Sequence, residues 1–287
     1  DHLVSNVEID AIVIATPVRS HFEMAKKSLQ AGKHIFLEKP MASSVAECKE
    51  LIELAEKQNL IIMVGHTFVY SQSIKKIKQI VNAGDLGEIQ YISARRLNLG
   101  LFQKDINVAW DLAPHDISII LYIMKEEPVS VNCQGKAHVA PGIEDVTNIT
   151  LNFPNGGFAT IHSSWLDPNK VREMTFVGTK KMLVYDDIEP MEKIKIYDKC
   201  VKTPPHYDTF AEFHYSYHYG DMYSPHLQQE EPLKVECQHF LDCISKKVKP
   251  DSSGIEGLRV VQILEAASRS LNNGGGRIEI AQKVTLA

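Results

Sequence analysis

The first sixty-five residues alternate short apolar strands with capped amphipathic helices, and this alternation restricts the possible folds more than any other feature of the chain. Ala11-Ile12-Val13-Ile14-Ala15 is short, apolar and β-branched, as a buried strand is. Ser20-x-x-Glu23 has the form of a capping box and predicts a helix through Ala31, with Gly32 where a C′ glycine belongs. Residues 34–37 are predicted to form the next strand. Ser44-x-x-Glu47 is a second capping box, followed at helical spacing by Cys48, Leu51, Ile52 and Ala55, and Leu60–Val64 is the third strand. Strands and helices in this order imply a parallel sheet with right-handed crossovers.

The pattern then changes. A helix is expected over 73–83 with Ile74, Ile77, Ile80 and Val81 inward, ended by Gly84 and Gly87. Residues 90–96, 148–153, 158–165, 172–177 and 182–185 are predicted as strands. Pro154-Asn155-Gly156-Gly157 and Gly178-Thr179-Lys180 are hairpin turns, which implies an antiparallel sheet. Helices are expected over 234–245 and from a Ser253-x-x-Glu256 cap to about Leu271. No helix follows Gly274-Gly275-Gly276, so this run is a helix stop and not a phosphate cradle. The expected fold is α/β: a parallel-sheet domain over 1–69, then an α+β domain over 70–287 with a large, mostly antiparallel sheet.

The net charge of −5 argues against nucleic acid or an anionic membrane as the main partner. The apolar runs fall far short of the roughly 18 residues a membrane helix needs. Asp1–Ser5 has neither a basic nor an apolar leader region. The five cysteines are odd in number, widely spaced and without a Cys-x-x-Cys, which suits reduced thiols in the cytoplasm better than disulfides or zinc.

The chemistry concentrates at strand ends. Lys39 follows a predicted strand in Glu38-Lys39-Pro40, and ligands of open α/β sheets bind at the carboxyl ends of strands. A desolvated Lys there can hold a substrate hydroxyl and stabilise a developing alkoxide; the plainer reading is a solvated Lys before a Pro. In Asp111-Leu112-Ala113-Pro114-His115, a helix beginning near Leu112 would place Pro114 in its first turn and turn Asp111 and His115 to one side. The Asp could then fix the imidazole tautomer, and the helix N-terminus would disfavour imidazolium. The plainer reading is an Asp cap beside an ordinary His. Thr16-Pro17, His21 and Gly65-His66 occupy positions where a nucleotide could touch the chain; otherwise they are turn residues. His206, His214, His218 and His226 lie in an aromatic segment. His214 and His218 would share a face if helical, but a loop over the cleft or at a subunit interface is preferred, and no metal is expected.

Taken together, Ala15-Thr16-Pro17, Glu38-Lys39-Pro40, Gly65-His66, Asp111-x-x-x-His115 and the stretch from Glu231-Pro232-Leu233 to Leu271 resemble the Gfo/Idh/MocA family of nicotinamide-dependent sugar and cyclitol oxidoreductases. The resemblance spans essentially the whole chain. Residues 65–71 and 110–118 look most like the nucleotide-sugar dehydrogenases, which oxidise the 3-hydroxyl of a UDP-linked aminosugar acid. It implies a partial Rossmann-type sheet, NAD or NADP as cofactor, a sugar or nucleotide-sugar substrate, a cis peptide before Pro40 and a homo-oligomer. His115 would take the hydroxyl proton, Lys39 polarise the same oxygen and Asp111 orient the pair. Thr16, Pro17, His21, Glu38, Lys39, Gly65 and His66 would line the cofactor. The family also begins with a G-x-G-x-x-G turn, and none precedes Ala11 here, so the chain is expected to be a truncated form lacking about two βα units. A non-catalytic binding protein on the same fold is the alternative this departure raises.

Overall fold

The computed structural model describes residues 2–202 and 216–280. After a single helical turn, α1 (His2–Ser5), the chain forms β1 (Ala11–Ile14), α2 (His21–Gln30), β2 (His34–Glu38), α3 (Val45–Lys57) and β3 (Ile62–Gly65). The three strands make a parallel sheet in the order β1-β2-β3. Ile14 stands beside Leu37, and Leu37 beside Val64. The register therefore brings the residues after each strand, Thr16-Pro17, Lys39-Pro40 and His66, to one edge of the sheet.

Local sequence explains most of these elements. Ser44 caps α3 by accepting from the Glu47 amide at 3.2 Å, while the Glu47 carboxylate turns back to the Ser43 amide at 2.9 Å. The box expected at Ser20 does not form. A 3-10 turn over Val18–Ser20 runs straight into α2, so Ser20 is already helical and its hydroxyl oxygen lies 2.8 Å from both the Pro17 carbonyl and Thr16 Oγ1.

A 3-10 turn over Thr67–Tyr70 leads to α4 (Gln72–Asn82), β4 (Ile89–Leu99), α5 (Val108–Met124), β5 (Ser130–Lys136), β6 (Val146–Asn152), β7 (Phe158–Ser164), β8 (Leu166–Gly178), β9 (Met182–Asp186), β10 (Ile194–Lys202), β11 (Ser216–Tyr223), α6 (Pro232–Lys246), α7 (Gly254–Asn272) and β12 (Ile278–Glu279). The described strands of this part form one nine-stranded sheet, ordered β11-β10-β9-β8-β4-β7-β6-β5-β12. Only its β4–β7 pair is parallel. The expected fold class, a parallel α/β sheet followed by a large and mostly antiparallel one, is the fold observed. β5, β10, β11 and β12 are additional to the predicted strands.

α7 fastens the two sheets together. Val260, Ile263, Leu264, Ala266 and Ala267 lie in the core of the nine-stranded sheet, and Leu258 and Val261 in that of the three-stranded sheet. Gly257 permits the close approach, because a Cβ there would stand 2.7 Å from Val64 Cγ2. Among the described residues no helix is long and apolar enough to cross a membrane.

Candidate active site

Three segments converge at the carboxyl edge of the parallel sheet. Lys39 leaves β2 through a cis Lys39–Pro40 peptide, as the resemblance implies. Its Nζ lies 2.8 Å from the Asp111 carbonyl oxygen and 3.6 Å from Asp111 Oδ1. Burial pulls the Lys39 pKa below that of a free lysine; Asp111 and Glu38 oppose the shift, and Arg96 adds to it. Asp111 Oδ2 accepts from Trp165 Nε1 at 3.0 Å. The carboxylate thus faces a cation and an indole donor from two other elements.

His115 lies one helical turn beyond Asp111 on α5, and its surroundings differ from those expected in two ways. α5 starts at Val108, capped by Asn107, whose side chain accepts from the Trp110 amide at 3.2 Å. Pro114 is therefore inside the helix and not in its first turn, and His115 lies about two turns from the N-terminus, beyond the reach of its dipole. Nor does Asp111 fix the imidazole: its oxygens face Lys39 and Trp165, and His115 Nδ1 is buried without a partner. Nε2 is not enclosed in that way. The ring is nevertheless held neutral. Burial drives its pKa well below the ordinary histidine value, and the charges of Lys39 and Arg96 push the same way.

Phe68 and the groups behind it seat His115. Phe68 meets the imidazole edge-on, with ring centroids 5.0 Å apart. The Arg96 guanidinium lies 4.7 Å from the centre of the Phe68 ring. Arg96 is paired with Asp116 through two bonds, Nε to Oδ2 at 3.0 Å and a terminal nitrogen to Oδ1 at 2.8 Å, both residues being buried. The Thr67 hydroxyl donates to Glu236 Oε2 at 2.7 Å. Burial, with Glu38 nearby, raises the Glu236 pKa to about 7.

Sequence reasoning did not single out Arg96, Asp116, Phe68 or Trp165. One signal was available: Arg96 continues the inward face of β4 begun by Ile92 and Ala94, so strand alternation alone buries its charge.

The proposed cofactor positions are placed unequally. The Lys39 amide donates to Glu38 Oε2 at 3.2 Å, and a Cβ at Gly65 would stand 3.4 Å from that carboxyl group. Thr16 lies beside the Ser20 hydroxyl. His21 is 1% exposed, with Nδ1 2.9 Å from the Pro40 carbonyl and Nε2 2.7 Å from the Thr16 carbonyl. It braces the Thr16 and Pro40 turns, leaving no ring nitrogen for a ligand. His66 is 2% exposed, and neither of its ring nitrogens has a partner. In the histidine-rich segment, His218 lies on a strand and not on a helix, 3.0 Å from Asp198 Oδ2. His206 and His214 lie outside the described residues.

The chain is similar to known oxidoreductases. The family described as "Oxidoreductase family, NAD-binding Rossmann fold" matches residues 1–66, and the "GFO/IDH/MocA C-terminal domain" matches residues 74–184. The uncharacterized oxidoreductase YrbE of Bacillus subtilis is 30% identical over 284 residues, covering 95% of this chain and 79% of that protein. The UDP-N-acetylglucosamine 3-dehydrogenase of Acidithiobacillus ferrooxidans is 28% identical over 258 residues, covering 88% and 76%. A solved structure of the same enzyme superposes with a TM-score of 0.74 at 25% identity, covering 94% of this chain and 80% of that one. An inositol dehydrogenase homolog from Azotobacter vinelandii, solved with NADH and myo-inositol, shares the fold with a TM-score of 0.78 at 16% identity, over 97% and 80%. This chain belongs to the Gfo/Idh/MocA family of NAD(P)-dependent oxidoreductases, whose members here include dehydrogenases of sugar-type hydroxyls.

Proposed function

We propose that this chain oxidises the 3-hydroxyl of a UDP-linked aminosugar or aminosugar acid, using NAD or NADP. The observation that carries the reading is the juxtaposition of the partly buried Lys39 ammonium with Asp111 and the neutral His115 at the carboxyl edge of the parallel sheet. The likeness to the UDP-N-acetylglucosamine 3-dehydrogenase supports the substrate class.

The donor set suits a nicotinamide nucleotide. Glu38 is an acceptor for hydroxyl groups, and Gly65 beside it carries no side chain to fill the space next to that carboxylate. Thr16 offers a hydroxyl at the end of β1, where the Thr16 and Pro17 carbonyls are held by His21 and Ser20. His21 serves this site by holding the Thr16 and Pro40 turns together. The bound nicotinamide supplies the hydride acceptor. Lys39 donates to the substrate oxygen and stabilises the negative charge that grows there, while Asp111 holds the ammonium in place. His115 receives the hydroxyl proton at Nε2, and its depressed pKa keeps that nitrogen free at neutral pH. General-base assistance of this kind contributes roughly 10²–10⁴-fold.

The test mixes the chain with NAD or NADP and, in turn, UDP-N-acetylglucosamine, its uronic acid, glucose and myo-inositol. The reading expects reduced nicotinamide with a UDP-sugar and its loss in Lys39→Met. Saturable cofactor binding without reduction by any of these alcohols would favour the non-catalytic alternative.

We also infer a homo-oligomer built on the outer face of the large sheet, where Tyr91 and Phe158 stack 5.5 Å apart and are 37% and 41% exposed. Light scattering that returns only the mass of one chain would remove this inference.

A further inference from the structure

The Lys39 ammonium has three donors, and Asp111 is the residue that faces it twice. One donor meets the Asp111 carbonyl at 2.8 Å, and Asp111 Oδ1 stands 3.6 Å away. The carbonyl belongs to the backbone of α5 and cannot turn aside. The carboxylate can: at 3.6 Å it is too far for a hydrogen bond to the ammonium, and the Asp111 side chain is 24% exposed, so water competes for it. Something other than Lys39 has to keep this carboxylate in place.

Trp165 is built to do so. Its Nε1 donates to Asp111 Oδ2 at 3.0 Å, which leaves Oδ1 as the oxygen turned to Lys39. The indole itself is locked. Trp165 is 1% exposed and sits between β7 and β8. Its amide donates to the Asp145 carbonyl at 2.9 Å, and its carbonyl accepts from the Gly100 amide at 3.0 Å. The Phe102 ring lies 5.5 Å from the indole, and a Cβ on Gly100 would stand 2.7 Å from Trp165 Cδ1. The bare Gly100 therefore lets the ring occupy this position.

The plainer reading is a large aromatic residue that fills space. The chain has two tryptophans, and the other, Trp110, gives its N–H to the Ser268 hydroxyl at 2.9 Å. A buried indole needs an acceptor, and a neutral hydroxyl meets that need. Trp165 instead bonds the one carboxylate that faces Lys39.

We propose that Trp165 is a positioning residue for the reaction: its indole N–H anchors the Asp111 carboxylate beside the Lys39 ammonium and so keeps that ammonium charged and aimed at the substrate oxygen. The proposal rests on the dehydrogenase reading above. Trp165 touches no reacting atom and acts through Asp111. The charged and titratable groups facing Lys39 are Glu38 next to it, Arg96 from β4, Asp111 and His115 from α5, and His66 after β3. Burial pulls the Lys39 pKa down, and Asp111 is the first of the groups that oppose it. Releasing the carboxylate leaves burial less opposed, so the ammonium gives up its proton at lower pH and the substrate oxygen loses its donor.

Two readouts of Lys39 test the proposal. Competitive labelling with acetic anhydride, followed by mass spectrometry of the Lys39 peptide, gives the pH at which the free amine appears and needs no turnover. The alkaline limb of kcat/KM with UDP-N-acetylglucosamine reports the same group during the reaction. In Trp165→Phe, which keeps a ring but has no donor, both midpoints should fall by about one pH unit, lowering kcat/KM about tenfold on the alkaline side. Trp165→His, which restores a ring N–H, should recover part of the shift. Gly100→Ala, which pushes an intact indole off its seat, should move both midpoints the same way by less. In an Asp111→Asn background, Trp165→Phe should add no further shift. Folded Trp165→Phe and Gly100→Ala with the wild-type Lys39 midpoint, or a further shift in the Asp111→Asn background, would overturn the proposal and leave Trp165 as packing. A wild type that reduces no nicotinamide, while its Lys39 midpoint still responds to Trp165→Phe, would overturn the dehydrogenase reading and not the anchoring of Asp111.

Discussion

His21 and His66 both lie just beyond strands of the parallel sheet, and burial does not distinguish them, at 1% and 2% exposed. Their hydrogen bonding does. His21 spans two backbone carbonyls, with its ring nitrogens 2.9 Å from the Pro40 oxygen and 2.7 Å from the Thr16 oxygen. His66 has no partner at either nitrogen. A satisfied buried ring is structural, tying the turn after β1 to the turn after β2. An unsatisfied one marks a place where the working protein supplies the missing partner as water or ligand. Arg96 belongs with His21, bonded twice to Asp116 and structural, and His115 with His66.

The largest expected effect falls on the unsatisfied side. His115→Ala should cut turnover by about 10²–10⁴-fold with little loss of cofactor affinity. Unchanged turnover would remove His115 from the chemistry. Because burial keeps the imidazole neutral, kcat/KM of wild type should fall on the acid side only well below pH 6.5.

On the satisfied side, Arg96→Leu strands Asp116 in the core and should cost about 3–5 kcal/mol in chemical denaturation. A loss under about 1 kcal/mol would mean that Asp116 finds water on relaxation.

The two histidines should then respond with opposite signs. His21→Phe leaves two carbonyls unpaired and should destabilise by about 2–5 kcal/mol, whereas His66→Phe removes two orphan atoms and should be neutral or stabilising. Equal losses in both would break the comparison.

The smallest effect concerns Glu236, another group with an unpartnered oxygen. Its folded pKa of about 7 exceeds the ordinary 4.5, so between those values the native state holds a proton that the unfolded state has lost. Stability should therefore fall by up to about 3 kcal/mol as pH rises from 4.5 to 7. Glu236→Gln should flatten that slope, and an unchanged slope would place its origin elsewhere.

How legible the site was in the sequence follows the same division. The strands carrying Thr16, Lys39 and His66 could be read because short apolar runs between capped helices have one interpretation, and register then brings their ends together. Lys39 and Asp111 could be found because strand ends and helix starts are local features. The partner of Asp111 could not, because Trp165 arrives from the end of β7, 54 residues later. The start of α5 was misplaced because Pro114 suggested a first turn, while the Asn107 cap, lying just ahead of the apolar Val108-Ala109, carries no such flag. Ser20 misled for the converse reason: its spacing to Glu23 is right, but the 3-10 turn before it had already made it helical. β11 escaped because its residues are almost all exposed and polar or aromatic, so no buried alternation marks it.

The most direct test follows the hydride. UDP-N-acetylglucosamine carrying deuterium at C3 is incubated with the chain and NAD or NADP, and the nicotinamide product is weighed by mass spectrometry. One deuterium per reduced nicotinamide, formed at least about 10²-fold more slowly in both Lys39→Met and His115→Ala, is the expected result. Reduced nicotinamide without deuterium, or labelled at the wild-type rate in either variant, would contradict oxidation of that hydroxyl by these residues.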